Sequence, residues 1–322
     1  MKNLLKSGAT VCAIAMGTGL SAAGSADAAT FTAEKISFRD ITGAVEIRTH
    51  SGGEIEITIE QGKEYTQVAL SEVDGTVIVR GEKWKEEETR DCCNTRINRE
   101  FYPREGRELT TGEPVDEGFF GDYPTIVVST PLNSDIEFID ARIKLAMERL
   151  QGALSLDACY VYGETSDVEE AVIGVIHGSR LVVGNIDAGL EIDVSGDADV
   201  MTGDAATVDV DIAGPGDVIL GSVDGMLDVS IAGSGLVRTA RLDGPLTTRI
   251  AGSGAVVVAQ GNADRLRATI DGSGGVFFDG NVTQPELRLF GSSEVRMKSV
   301  SGRITHHGGG AVYVGGERVE KD

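Results

Sequence analysis

Along the C-terminal half of the chain, aliphatic and polar residues alternate, and a glycine closes each alternating stretch. Leu190-Glu191-Ile192-Asp193-Val194 leads to Gly196, Val208-Asp209-Val210-Asp211-Ile212 to Gly214, and Leu227-Asp228-Val229-Ser230-Ile231 to Gly233. A period of two, rich in Val and Ile, predicts strands, because successive strand side chains point to opposite faces. The glycines Gly178, Gly196, Gly214, Gly233, Gly252, Gly272, Gly291 and Gly308 recur at steps of 17 to 20 residues. Four positions after each stands a valine, from Val182 to Val312. Two positions before each stands an aliphatic, from Ile176 to Leu289, with His306 in the last copy. A unit this short cannot bury a hydrophobic face alone, so it must stack on its neighbours. The pattern predicts an all-β fold, a single-stranded parallel β-helix (β-solenoid) with coils of about 17–20 residues.

The turns repeat as well: IAGSG at 231–235 and 250–254, IDGSG at 270–274 and LFGSS at 289–293. Glycine reaches positive φ without a Cβ clash, so the same tight corner is expected in every coil. A looser corner is expected at Asp224-Gly225, Asp243-Gly244, Ala263-Asp264 and Ser301-Gly302. Residues 136–154 are rich in helix formers. Their alternation at Ile136, Phe138, Ile143, Leu145 and Met147 nevertheless continues the solenoid period backwards, and a capping helix is the rival reading. Outward positions form two columns: Glu191, Asp209, Asp228, Thr247, Arg267, Glu286 and Arg303, beside Asp193, Asp211, Ser230, Arg249, Thr269, Arg288 and Thr305. Arg267, Glu286 and Arg303 are therefore expected side by side on adjacent coils. His306-His307 beside three glycines reads as a polar terminal coil that blunts stacking.

Toward the N-terminus the alternation persists in five short runs across residues 30–82 and resumes in YPTIVVSTP at 123–131. The stretch between them, 83–122, is charged, lacks a period and is longer than ordinary connections. It carries Trp84, Phe101, Tyr102, Phe119 and Phe120 in a chain with only 5% aromatic residues. These rings either pin the excursion to the solenoid flank or form a partner-binding loop, since loops on rigid scaffolds often carry recognition.

Residues 1–29 read as a signal peptide, with Lys2 and Lys6, an apolar run, and small residues for cleavage near Ala28 or Ala29. The expected organisation is thus signal peptide 1–29 and solenoid 30–322, interrupted by the insert 83–122. Export permits a disulfide. An adjacent-cysteine bridge is strained, which points to Cys159 bonded to Cys92 or Cys93. A net charge of −22 argues against nucleic acid and anionic lipid as partners.

No phosphate loop, HExxH helix, nucleophile motif or dinucleotide fingerprint stands in a fitting context. No catalytic residue, metal or cofactor is expected. The carboxylate column reads as solvated surface charge, with loose Ca²⁺ collection as the weaker reading.

The strands AVEIRTHSGGEIEITIE, the segment YPTIVVSTPLNSDIEF and the serial IAGSG and IDGSG turns resemble the GIN-domain family of auto-transporter adhesin head domains and related adhesin-like β-solenoids. The resemblance spans roughly residues 31–320 less the insert, and implies a right-handed β-helix-like solenoid in the envelope of a Gram-negative bacterium. It carries over no catalytic residue. The resulting expectation is an exported, non-enzymatic binding or structural module, in the periplasm or at the surface, whose partner is an envelope protein or a surface glycan. The rivals are a polysaccharide-processing β-helix enzyme, which needs convergent carboxylates in a groove, and a scaffold self-associating end to end.

Overall fold

A computed structural model describes residues 27–63, 67–81, 119–176 and 178–320. They form a parallel β-solenoid built as one 25-stranded sheet that winds on itself. Strands β1 (Asp27–Phe31), β2 (Lys35–Arg39), β3 (Thr42–His50), β4 (Ile55–Glu60), β5 (Val68–Val73) and β6 (Thr76–Gly81) precede the insert. A 3-10 turn at Phe119–Asp122 leads into β7 (Thr125–Pro131), β8 (Asp135–Met147) and β9 (Ala153–Thr165). The helix-prone stretch 136–154 is strand, because its alternation buries Ile136, Phe138, Ile143, Leu145 and Met147 in the core. Tertiary burial overrides intrinsic helix propensity there.

Each later coil presents two faces. Face A, before the corner glycine, is made by β10 (Glu170–Ile176), β12 (Ile186–Ser195), β14 (Ala205–Gly214), β16 (Leu227–Gly233), β18 (Leu246–Gly252), β20 (Gly261–Gly272), the latter part of β21 (Gly275–Gly291) and β23 (Thr305–Gly308). Face B, after it, is made by β11 (Arg180–Val183), β13 (Asp199–Thr202), β15 (Asp217–Val223), β17 (Leu236–Asp243), β19 (Ala255–Val258), the start of β21, β22 (Glu294–Val300) and β24 (Ala311–Val314). The two-residue β25 (Glu317–Arg318) folds back antiparallel on β24, and Val319 N donates to Val312 O at 2.9 Å. On face A, Ile192, Val210, Val229 and Thr248 stack in one inward column. On face B, Val200, Val218, Val237, Val256, Val276, Val295 and Val312 form another, each at most 1% exposed. Burial of each such side chain contributes about 1.5–3 kcal/mol. Phe38 stacks on Phe138 at the N-terminal end, ring centroids 4.6 Å apart.

The corner glycines behave as the turn chemistry requires. Gly214, Gly233, Gly252 and Gly272 have φ of 133°, 140°, 131° and 133° and stack on one another. A Cβ on Gly252 would run into the carbonyl oxygen of Gly233. At the opposite corner, side chains carry the stacking where the strand ladder lapses. Asp167 Oδ1 accepts from Asn185 N at 2.8 Å, Asn185 Oδ1 from Asp204 N at 2.9 Å, and Asp204 Oδ1 from Ser222 N at 2.6 Å.

The register departs from the sequence expectation at both ends of the repeat. In the first copy Val175, not Ile176, aligns with Val194, and Leu181, not Val182, aligns with Val200. Gly178 therefore sits one residue late, and Val182 faces outward, 38% exposed. In the last copy Leu289 aligns with Gly308 while Val295 still aligns with Val312. The final corner is two residues shorter, so Thr305 takes the place beside Glu286 expected for Arg303, and His307 the place expected for Thr305. At the looser corner expected at Ala263-Asp264 the strand is unbroken: β20 passes from its pairing with β17 at Gly261-Asn262 to its pairing with β18 at Leu266, with Ala263 buried at the turn.

The N-terminal strands do not follow chain order. The coil β2–β3 lies between β8 on one side and the pair β6, β7 on the other. Outside β7, β4 and then β1 add antiparallel, and β5 adds antiparallel outside β6. In the β2–β3 coil and in β8 the passage from face A to face B is a short corner, with Asp40 at φ 54° and Asp140 at φ 53°. In the coil made by β6 and β7, the insert stands in place of that corner.

Candidate functional site

The insert returns to the solenoid through Phe119–Asp122, and this end is clamped. Ala44 N donates to Pro124 O at 3.0 Å, and Lys63 N to Asp122 O at 2.8 Å. The Lys63 ammonium lies 3.1 Å from Asp122 Oδ1. Gly62 permits the approach, because a Cβ there would sit 2.5 Å from Asp122 O. Phe120 is buried, 6% exposed, with its ring edge-on to Tyr123 at 6.1 Å and tilted over Tyr160 at 6.4 Å. Tyr160 belongs to β9, aligned with Arg142 of β8, and Tyr162 two residues on is aligned with Lys144. Burial, then the neighbouring Tyr162, pushes the Tyr160 phenol up to about 12. It is neutral at physiological pH and serves as a packing ring.

Cys159, next to Tyr160, is disulfide-bonded. Its partner lies outside the described residues, as do the expected partners Cys92 and Cys93 and the rings of Trp84, Phe101 and Tyr102. Phe119 lies in the 3-10 turn. Of the five expected partner-binding aromatics, Phe120 is thus an anchor against the flank. Tyr123 and Tyr160 complete the ring contacts of Phe120, with Tyr162 beside Tyr160, and none of the three was singled out from the sequence. The available signal was that three of the chain's six tyrosines fall here, two of them at alternate positions flanking the inward Val161.

The acidic columns are where the alternation put them. Glu191, Asp209 and Asp228 align on successive coils, as do Asp193 and Asp211. Burial first, then neighbouring carboxylates, raises the carboxyls of Asp193 and Asp209 above their ordinary value. Among the described residues no group of three or more His, Cys, Asp or Glu is placed to hold a metal ion. An open groove on face B is lined by Glu46, Met147, Glu148, Glu164 and Val182, among others. Two of its carboxylates hold structural bonds: Arg48 Nε lies 2.7 Å from Glu46 Oε1, and Thr49 N donates to Glu148 at 2.8 Å. Among the described residues no helix is long and apolar enough to cross a membrane.

No protein-family model and no curated protein matches this chain. Solved structures similar to it include a "putative adhesin" from Parabacteroides distasonis, at 12% identity over 90% of this chain and 97% of that one, with a TM-score of 0.34. A "putative adhesin" from Parabacteroides merdae shares 15% identity over 90% and 95%, with a TM-score of 0.36. A "putative lipid binding protein" from P. distasonis shares 12% over 90% and 96%, with a TM-score of 0.31.

Proposed function

We propose that the chain is an exported, non-enzymatic β-solenoid, an adhesin-like binding or structural module of a bacterial cell envelope, and that the insert 83–122 is its recognition element. The observation that carries this reading is the anchoring of the insert's return. Phe120 packs on Tyr160, the adjacent Cys159 is disulfide-bonded, and the insert replaces a corner of the coil stack. A loop held at a rigid scaffold's corner is positioned to present side chains at low entropic cost. Trp and Tyr are the residues best suited to anchor a partner, which here is an envelope protein or a surface glycan. Processing near Ala28 or Ala29 would cut within β1 and leave Thr30 and Phe31 to pair with Glu56 and Ile55. The disulfide reading is Cys159 with Cys92 or Cys93, tying the insert to β9.

The test separates anchor from recognition. The triple change Trp84→Ala, Phe101→Ala, Tyr102→Ala should abolish binding of purified protein to an envelope preparation and leave melting unchanged. Phe120→Ala should instead cost about 3 kcal/mol of stability. Binding unaffected by the triple change would move the site to the solenoid faces.

A further inference from the structure

The outside of face A carries charge that changes sign along the solenoid axis. On β12, β14 and β16 the two outward columns read Glu191, Asp209, Asp228 and Asp193, Asp211, Ser230. On β18, β20 and β21 they continue as Thr247, Arg267, Glu286 and Arg249, Thr269, Arg288. Beside them runs a third outward column, Ser195, Ala213, Ala232, Ala251 and Asp271, whose three alanines are exposed and leave the face flat. In a lone chain this segregation is unfavourable. Like charges on adjacent strands sit about 4.8 Å apart and repel, whereas interleaving the arginines would relieve them. A second copy turned end for end gains from the same arrangement.

We propose that face A is a homodimer interface, in which two copies pack face to face with antiparallel solenoid axes about a two-fold axis running along β16. Such an axis reverses the order of coils but keeps position along the strand, so β14 opposes the partner's β18 and β12 opposes its β20. Asp211 then meets the partner's Arg249, Glu191 meets the partner's Arg267, Ser195 meets the partner's Asp271, and Ala213 meets the partner's Ala251. Each contact occurs twice, as an isologous interface requires. Asp228 lies near the axis opposite the partner's Asp228, where its bond from Arg249 of its own chain at 3.2 Å offsets its charge. Arg267 likewise holds Glu286 of its own chain at 3.0 Å and reaches the partner beside it. Along the corner edge of the face the two sheets can approach to about 10 Å, since Ala213, Ala232 and Ala251 carry only methyl groups there. Five strands of about seven residues present on the order of 500 Å² per copy. The buried total of about 1,000 Å² lies at the low end of specific interfaces. The dimer is therefore weak and salt-sensitive. This interface is side by side, distinct from end-to-end stacking, and independent of the role given to the insert.

Sedimentation over a concentration series tests it on the mature chain. The parent should show a monomer–dimer equilibrium in low salt that is lost in high salt. Arg249→Glu with Arg267→Glu should be monomeric throughout, and so should Glu191→Lys with Asp211→Lys, both with parent-like circular dichroism and a single cooperative melt. Mixing the two variants makes the 211–249 and 191–267 pairs attractive again and should restore a 1:1 heterodimer. A parent that stays monomeric in low salt, variants that still dimerise, or a mixture that stays monomeric would each overturn the proposal.

Discussion

At the scale of single residues, the fold depends on positions where only one side chain fits. Gly252 is the clearest, with φ at 131° and the Gly233 carbonyl where its Cβ would lie. Gly252→Val should destabilise by more than about 2 kcal/mol, combining backbone strain with a steric clash, as read by chemical denaturation. An unchanged midpoint would show that the corner tolerates a side chain. Thr248 is the opposite case: it lies inward, 1% exposed, between Val229 and Ala268, and its hydroxyl has no hydrogen-bond partner among the described residues. Replacing a buried, unsatisfied hydroxyl by a methyl group removes a desolvation penalty, so Thr248→Val should stabilise by about 1 kcal/mol. A loss of stability would mean that the hydroxyl is bonded in solution.

At the scale of strands, stacking repeats one pattern, and its electrostatic consequences repeat too. The carboxyls of Asp193 and Asp209 are raised in the folded state by burial and by their neighbours. A carboxyl raised on folding favours the native state below its unfolded value, and that advantage is lost as pH rises through the folded value. Asp193→Asn with Asp209→Asn should therefore raise the melting temperature at neutral pH. The gain should shrink in salt and vanish below about pH 3, where the parent's carboxyls are already protonated. A gain that persists at low pH would assign it to something other than charge. From Gly196 to Gly291 this register was legible because each coil keeps one corner length, the same step separating Val194 from Val200 as Leu289 from Val295, and Arg267 and Glu286 meet at 3.0 Å as the alternation implies. At Gly178 the corner shifts by one residue, and at Gly308 it loses two. Arg303 was misplaced because a glycine marks a turn without fixing how many residues the turn uses. The order of β6, β7, β2 and β8 was not legible either, because local alternation identifies strands and says nothing of which strand lies beside which.

At the scale of the molecule, a stack of coils buries its own core, and the insert stands outside that arithmetic. The sequence marked it by its lost period and its rings. It did not show that Phe120 is turned inward on Tyr160, because anchor and recognition aromatics look alike until a flank exists to bury one of them. The claim that the solenoid holds and the insert recognises is tested most directly by excision. Residues 85–117 would be replaced by a short Gly-Ser linker, keeping Phe120 and Asp122, with Cys159→Ser so that no thiol is left unpaired. Melting and envelope binding would then be measured together. The account predicts an intact strand spectrum, a melting temperature within a few degrees of the parent, and loss of binding. Collapse of the fold would contradict it by making the insert a structural cap, and retained binding would contradict it by placing recognition on the coils.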